Sequence, residues 1–506
     1  MEGCSEVVLF FHNNLGYIAK ECIGRGELEA LIEGGIHPEQ LASKIGQRIA
    51  EKEGLVLGYH PLGGSSIEVK LTQPFRERHI YIIGKSGSGK TNLIRTLLFQ
   101  DLERGEGIGV IAPESEMIVD EILPYIPEHR IDDVIYFNPA DTERPVCFNP
   151  LHLDEGEDID LRADETFVIL QRLIDTGAGT RMNQILRQTL YALLERENTT
   201  LLDIEPLLDR NDSTFRDEVI RESKDPDVVH FFQNVYPQYP KDAHLPILNR
   251  LGRLVRPKAV RNVLCQPENS FNFREAMDSG KILLFNLSDG ILGEANSQLL
   301  GQLIVSKFQM ATMSRANVAK SSRRHFWLYI DEFQTFIDVA ATSYEKMLSR
   351  ARKYRLGLIL AHQQTGQIPN KLLKEIFGNV STMVSFVVSH ADAVKISKEF
   401  ITDINGEMIH IPPEEILRLK VGEAYCKIAR TTFFMKTYLA DQSPDVTRAR
   451  LMMHRSRENY GRKPGLKARH TPPNDLSAVE SQPGETTPKD PEEEAFRDFA
   501  PDKLFE

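Results

Sequence analysis

The chain has 506 residues, 41% of them hydrophobic and 26% charged, and its formal net charge is −12. At roughly 100–200 residues per domain this length implies two to four domains around a sizeable buried core, and the composition is that of an ordinary soluble globular protein. The acidic balance argues against a simple DNA-coating role, because proteins that coat DNA non-specifically are basic, but it leaves open a motor that meets DNA only through loops lining a pore.

The first residues, MEGCSEVVLFF, carry no basic segment before their short apolar stretch, so no secretory signal is expected. No long uninterrupted apolar run follows, so no membrane span is expected either. Residues 1–75 read as a small α/β region. Residues 7–11 are strand-like, 38–52 place Leu41, Ile45 and Ile49 four apart as a helix does, and 67–71 alternate like a strand entering the core. From His79 the pattern changes. HIYIIG is a buried strand ending in Gly, GKSGSGKT follows, and NLIRTLLFQDLER has helical spacing. GIGVIAP and DDVIYFNP read as further strands, which makes 76–154 the first part of an α/β core with a parallel-rich sheet. The cluster Gly105, Gly107 and Gly109 reads as a turn only.

Residues 155–270 break the alternation. FVILQRLI and MNQILRQTLYALLER space their apolar residues as helices do, which predicts an inserted all-α domain. Over 271–440 the α/β pattern resumes with KILLFNLS, HFWLYIDE, LGLILAHQQ and TMVSFVVS, and ends in a hairpin of EAYCKIA and TFFMKTYLA. From Asp441 the chain is polar and Pro-rich, which predicts a disordered tail over 441–506, basic in its first half and acidic in its second. The scattered Cys4, Cys22, Cys147, Cys265 and Cys426 show no metal-binding spacing and read as reduced thiols.

Chemistry concentrates in three segments. Gly84, Lys85, Ser86, Gly87, Ser88, Gly89, Lys90 and Thr91 fit G-x-x-x-x-G-K-[ST] between a strand and a helix, the context this phosphate loop requires. Its backbone N–H groups and the helix dipole suit phosphate oxygens. Lys90 suits the β- and γ-phosphates of ATP, and the Thr91 hydroxyl suits Mg²⁺. Asp331 and Glu332 end an apolar strand, as a Walker B element requires: Asp331 for the metal shell, Glu332 for the attacking water. A later strand ends in Gln363 and Gln364, and Gln363 is the better candidate for an amide that senses hydrolysis. Arg350, Arg352, Lys353 and Arg355 precede that strand, either as a solvated basic face or as the source of an arginine finger for a neighbouring subunit.

Taken together, RERHIYIIGKSGSGKTNLIRTLL, VIYFNPADTERPVCFNPL, RMNQILRQTLYALLE, GKILLFNLSDGILGEANSQLLGQLI, WLYIDEFQTF and SRARKYRLGLILAHQQTGQI resemble the TraG/TraD-type coupling ATPases of conjugation and type IV secretion. These belong to the HerA/FtsK superfamily of DNA-pumping motors, and the resemblance covers roughly residues 58–440. It implies a RecA-like core with an inserted all-α domain, a homo-hexameric ring, DNA in the channel, Arg352 of ARKY as finger and Gln363 as sensor. Where such proteins carry a D-P-x-G-type motif this chain has Ala112-Pro113-Glu114-Ser115, and where they often carry an Arg after a late Phe it has Phe386-Val387. Many also have N-terminal membrane helices, for which this sequence shows no candidate.

The resemblance implies an ATP hydrolase that moves DNA, single- or double-stranded, with a relaxase or membrane partner. Its place would be the cytoplasm or, through that partner, the inner face of the cell membrane. A HerA-like translocase or helicase of repair or phage defence shares the same motor residues. A nucleotide-dependent adaptor that recruits cargo is the alternative from another class.

Overall fold

Short runs of β-branched, aromatic and aliphatic residues make the strands, and their alternation sorts side chains to two faces. The computed structural model describes residues 53–464, except 63–64, 154–157, 175–178, 339, 405–406, 430 and 440–442. The elements expected at 7–11 and 38–52, as well as Cys4, Cys22 and the acidic end of the chain, lie outside the described residues.

The strands are β1 (Leu55–Leu62), β2 (Ser65–Leu71), β3 (Ile80–Ile83), β4 (Gly107–Ala112), β5 (Val134–Phe137), β6 (Ile282–Asn286), β7 (Phe326–Ile330), β8 (Leu356–His362), β9 (Thr382–Ser385), β10 (Ile401–Ile404), β11 (Glu407–His410), β12 (Glu423–Ile428) and β13 (Thr431–Lys436). Apart from the small β10–β11 hairpin they form one eleven-stranded sheet in the order β2-β1-β13-β12-β9-β3-β8-β7-β4-β6-β5. From β9 to β5 every neighbouring pair is parallel. β12, β13, β1 and β2 extend the sheet antiparallel. Every residue of β3, β4, β7 and β8 is buried, as parallel strands covered on both faces must be. Ile80 and Ile82 pack into one core cluster, Tyr81 and Ile83 into the other.

Helix α1 (Lys90–Glu103) covers the Ile80 face through Leu93, Leu97 and Leu98. Beneath it a buried ion pair joins Arg76 to Asp101. The Arg76 guanidinium lies 3.4 Å from the centre of the Trp327 ring, and Asp101 also accepts the Tyr329 hydroxyl at 2.5 Å. Burial pushes the Asp101 carboxyl up to about 6, against the pull of Arg76. The opposite face packs against α2 (Ile159–Ile174), α3 (Thr180–Leu194) and α4 (Leu245–Val255) of the inserted region, where the described residues hold no strand. The buried Asn149 ties the two ends of this insertion together. Its side-chain amide donates to Thr199 O at 2.7 Å and Pro267 O at 3.2 Å, while its backbone N–H donates to Asn269 Oδ1 at 2.7 Å. The long helix α5 (Glu294–Ser314) and α6 (Ala341–Arg350) complete that layer.

The tail expected from Asp441 is corrected over its basic half. Val446–Tyr460 is a helix, α7, docked on the outer edge of the sheet. Ala449, Met452 and Ser456 form a narrow buried stripe, too small for composition to reveal. The Tyr136 N–H, on the otherwise open edge of β5, donates to Ser456 Oγ at 2.7 Å. The arginines that resembled a solvated run have acidic partners: Arg455 pairs with Asp132 at 2.6 Å, and Arg457 with Asp141 at 2.5 Å and Glu143 at 3.0 Å.

Candidate nucleotide site

The loop after β3 is held open from below. Gly84 N–H donates to His362 O at 3.3 Å and Lys85 N–H to Val387 O at 2.9 Å, so the backbones of β8 and of the chain after β9 support it. A Cβ on Gly84 would sit 2.7 Å from Phe386 Cβ, which only glycine avoids. Gly87 and Gly89 have φ of +69° and +116°, the left-handed half of backbone space that curls successive N–H groups inward. Lys85, Ser86 and Gly87 are exposed at the tip, while Lys90 is buried and Thr91 half-buried in the first turn of α1. The Lys90 ammonium turns back over the loop, donating to Gly84 O at 2.8 Å and Lys85 O at 3.3 Å.

The acids arrive from β7. Asp331 N–H donates to Ile111 O at 3.1 Å, continuing the ladder to β4 and fixing Asp331 at the strand end. Glu332 then takes φ +44° and ψ +45°, an arrangement that costs a non-glycine residue roughly 1–2 kcal/mol. This turn brings its carboxylate 3.9 Å from the Lys90 ammonium. Gln363 donates to Glu332 Oε1 at 2.8 Å, and Gln334 to Glu332 Oε2 at 2.6 Å. β8 lies between β3 and β7, so Gln363, the residue that follows it, emerges beside the acids. Gln363 is therefore the amide at the site, and Gln364 starts the following turn. Sequence reasoning assigned no role to Gln334, although DEFQ was among the motifs; the two-residue offset from Glu332 was its only signal.

Burial, and then the neighbouring Glu332, push the Asp331 carboxyl up to about 7. Glu114, in the Ala112-Pro113-Glu114-Ser115 segment, is also raised, by burial first and then by Glu332, while Lys90 opposes the shift. The segment that departs from D-P-x-G thus puts an acid within the field of the site from β4. Val387 contributes its carbonyl to the loop, not a charge.

The structure does not bring Arg352 into this group. It lies in the turn before β8, at the opposite end of the strands, with its side chain 54% exposed and its Nε 3.9 Å from Glu77 Oε2.

No protein-family model matches this sequence, and no curated protein does either. Solved structures do match. Plasmid coupling protein TrwB in complex with ADP and Mg²⁺ superposes with a TM-score of 0.55 at 16% identity, over 80% of this chain and 94% of that one. The chain has the fold of a conjugative coupling protein. TrwB in complex with a non-hydrolysable ATP analogue gives 0.53 at 17% identity, over 79% and 93%. VirB4 of Thermoanaerobacter pseudethanolicus gives 0.51 at 15%, over 79% and 99%. These likenesses carry the RecA-like fold and its mixed sheet, and among the described residues no helix is long and apolar enough to cross a membrane.

The residues present fit a magnesium–nucleotide. The Ser88 hydroxyl is buried in the loop without a hydrogen-bond partner among the described residues, an acceptor or donor left over for a ligand. Asp331 is a buried carboxyl that a divalent cation would keep ionised. No group of three or more His, Cys, Asp or Glu side chains able to hold a metal occurs among the described residues. Mg²⁺ needs none: it is held by one or two protein oxygens together with phosphates and water.

Proposed function

We propose that this chain is an ATP-driven motor of the conjugative coupling type, which hydrolyses ATP with Mg²⁺ and uses the cycle to move DNA or a nucleoprotein substrate through a homo-hexameric ring. The observation that carries this reading is the convergence of Lys90, Asp331, Glu332 and Gln363 at one end of the sheet. The loop N–H groups bind phosphate oxygens, and Lys90 leaves its carbonyl partners to bind the β- and γ-phosphates. Glu332 orients the attacking water and takes its proton at a carboxylate oxygen, while Gln363 and Gln334 hold that carboxylate in place. Thr91 and Asp331 would hold Mg²⁺, which would neutralise phosphate charge there.

Arg352 lies at the far end of the strands, so it serves as finger only for the nucleotide of a neighbouring subunit, and a ring supplies that neighbour. The likeness to TrwB supports a cytoplasmic task in conjugation, with a relaxase and a membrane-bound secretion partner. Measuring ATP turnover alone, with single-stranded DNA and with double-stranded DNA tests the motor. Stimulation by either DNA is expected; turnover indifferent to both would sink the translocation reading and favour a cargo adaptor.

A further inference from the structure

Gln363 lies just past the end of a strand, and an anchor stands on each side of it. The first is His362, the last residue of β8, which pairs with Ile83 of β3 and whose carbonyl accepts Gly84 N–H at 3.3 Å. Its ring Nε2 lies 2.5 Å from the Tyr81 hydroxyl, and burial brings its pKa down to about 3, so the ring is neutral. The second anchor is Thr365. Its N–H donates to Asp392 Oδ1 at 3.0 Å and its hydroxyl to the same oxygen at 2.6 Å. Gln364, the residue between Gln363 and Thr365, is extended, so the tether is short and taut.

Asp392 is buried in the first turn of the helix His390–Ser397. Ser389 caps that helix by accepting Asp392 N–H at 3.2 Å, and its hydroxyl donates to Asp392 Oδ2 at 2.6 Å. The cap thus occupies one carboxylate oxygen. The other goes to Thr365, 27 residues back in the chain. Lys395 completes the set by donating to the Thr365 hydroxyl at 3.2 Å. Burying a carboxylate is costly unless donors meet it, and a serine cap does not call for one. The stretch leading into this helix also supports the phosphate loop: Phe386 N–H donates to Ile83 O and Lys85 N–H to Val387 O, both at 2.9 Å. Asp392 therefore joins the support of the loop to the strand end that carries Gln363.

We propose that Asp392 is a positioning residue for hydrolysis: by fixing Thr365 it holds the Gln363 amide on Glu332, and so aims the carboxylate that directs the attacking water. It touches neither nucleotide nor water, and it acts through a contact of 2.8 Å between Gln363 Nε2 and Glu332 Oε1. A small misplacement of such a contact is enough to slow chemistry without weakening binding. This rests on the reading of Glu332 and Gln363 as the hydrolytic pair.

The test is a mutant cycle on the full chain, with ATP turnover at saturation and, separately, the affinity for a non-hydrolysable ATP analogue. Asp392→Ala is expected to lower turnover about 10- to 100-fold, the scale for a residue that orients a reacting group, with affinity kept within about twofold. Thr365→Val, which removes only the hydroxyl, should do the same more mildly and serves if Asp392→Ala does not fold. Asp392→Asn keeps an acceptor for Thr365 and should recover most of the turnover. In a Gln363→Ala background, Asp392→Ala or Thr365→Val should cost less than about twofold more, because two residues acting through one contact are not additive. Losses that multiply in full in that background overturn the proposal, as does unchanged turnover in Asp392→Ala and Thr365→Val. An equal loss of affinity and turnover also overturns it, since Asp392 would then merely support the loop. Gln363→Ala turning over at the original rate removes the sensor reading and this inference with it, while the phosphate loop stands. An unmodified protein that does not hydrolyse ATP sinks the proposed function itself.

Discussion

The two ends of the parallel strands both collect charge, and they treat it differently. At the C-terminal ends, Lys90, Asp331, Glu332 and Gln363 converge, largely out of solvent, and are held mostly by one another. At the N-terminal ends, Glu77 gathers His325 at 2.8 Å, Arg355 at 3.5 Å and Arg352 at 3.9 Å. The first group keeps an acid at a raised pKa, a residue in left-handed conformation and a buried hydroxyl without a partner. The second has a left-handed residue too, Arg355 at φ +64°, whose buried Nε has no partner among the described residues. But its one acid, Glu77, is met by three basic side chains, of which Arg352 is exposed. Strain occurs at both ends; what separates them is that acids crowd around one lysine where a ligand is awaited, whereas at the other end basic side chains outnumber the one acid.

The strongest way to break this contrast is at the first group. Lys90→Ala should lose both ATP binding and hydrolysis. Glu332→Gln should keep ATP bound while turnover falls about 10³-fold or more, since a positioned group acting only in the transition state is removed. Equilibrium binding and single-turnover rates separate the two, and a Glu332→Gln protein hydrolysing at the original rate would remove the catalytic assignment.

At the second group, Arg352→Ala should lower turnover of assembled protein about 10³-fold, the lower end of what an arginine finger contributes, without changing ATP affinity. Mixing it with Glu332→Gln subunits should restore part of the activity, because sites with an intact Glu and a neighbour's intact Arg then form. Unchanged turnover in assembled Arg352→Ala protein would leave this arginine as a partner of Glu77 and nothing more.

The same criterion applies to the flank. The arginines of α7 are paired and its stripe is buried, so the helix belongs to the fold and not to the chemistry. Ending the chain after residue 440 should lower the thermal midpoint by roughly 5 °C, the effect of losing one to three kcal/mol in a domain this size. Ending it after residue 464 should leave the midpoint within about 1 °C. Equal midpoints for the two truncations would show that the docked helix contributes nothing.

The smallest effect is the most diagnostic of stored cost. The Asp331 carboxyl is raised in the fold to about 7 from an ordinary value near 4. A raised acid stabilises the fold fully below its unfolded value, and that contribution is lost as pH rises toward 7. Without nucleotide and Mg²⁺, Asp331→Asn should therefore melt higher than the unmodified protein at pH 7.5, and the gap should shrink toward pH 4. A gap constant with pH would mean that Asp331 is not held at a raised value.

Much of the site was legible because its parts are local. The strand, the glycine loop, Lys90 and Thr91 lie within one short stretch, and Asp331 and Glu332 are adjacent at a strand end, so spacing alone announces their chemistry. The helical character of the insertion was legible for the same reason, through the period of its apolar residues. Other features depend on which distant segments meet. Gln363 reaches Glu332 across 31 residues only because β8 inserts between β3 and β7, a contact the sequence could favour over Gln364 but not place. Arg352 immediately precedes the same strand, yet strand direction sends it to the other end of the sheet. The basic stretch after residue 445 is polar by composition, and it becomes a helix because the edge of β5 offers an unpaired N–H and the carboxylates of Asp132, Asp141 and Glu143 stand beside it. Local chemistry is encoded by neighbours in the chain, whereas the partners of a charge, and therefore whether it binds, catalyses or simply holds, are chosen by strand order and direction, which no single stretch of sequence contains.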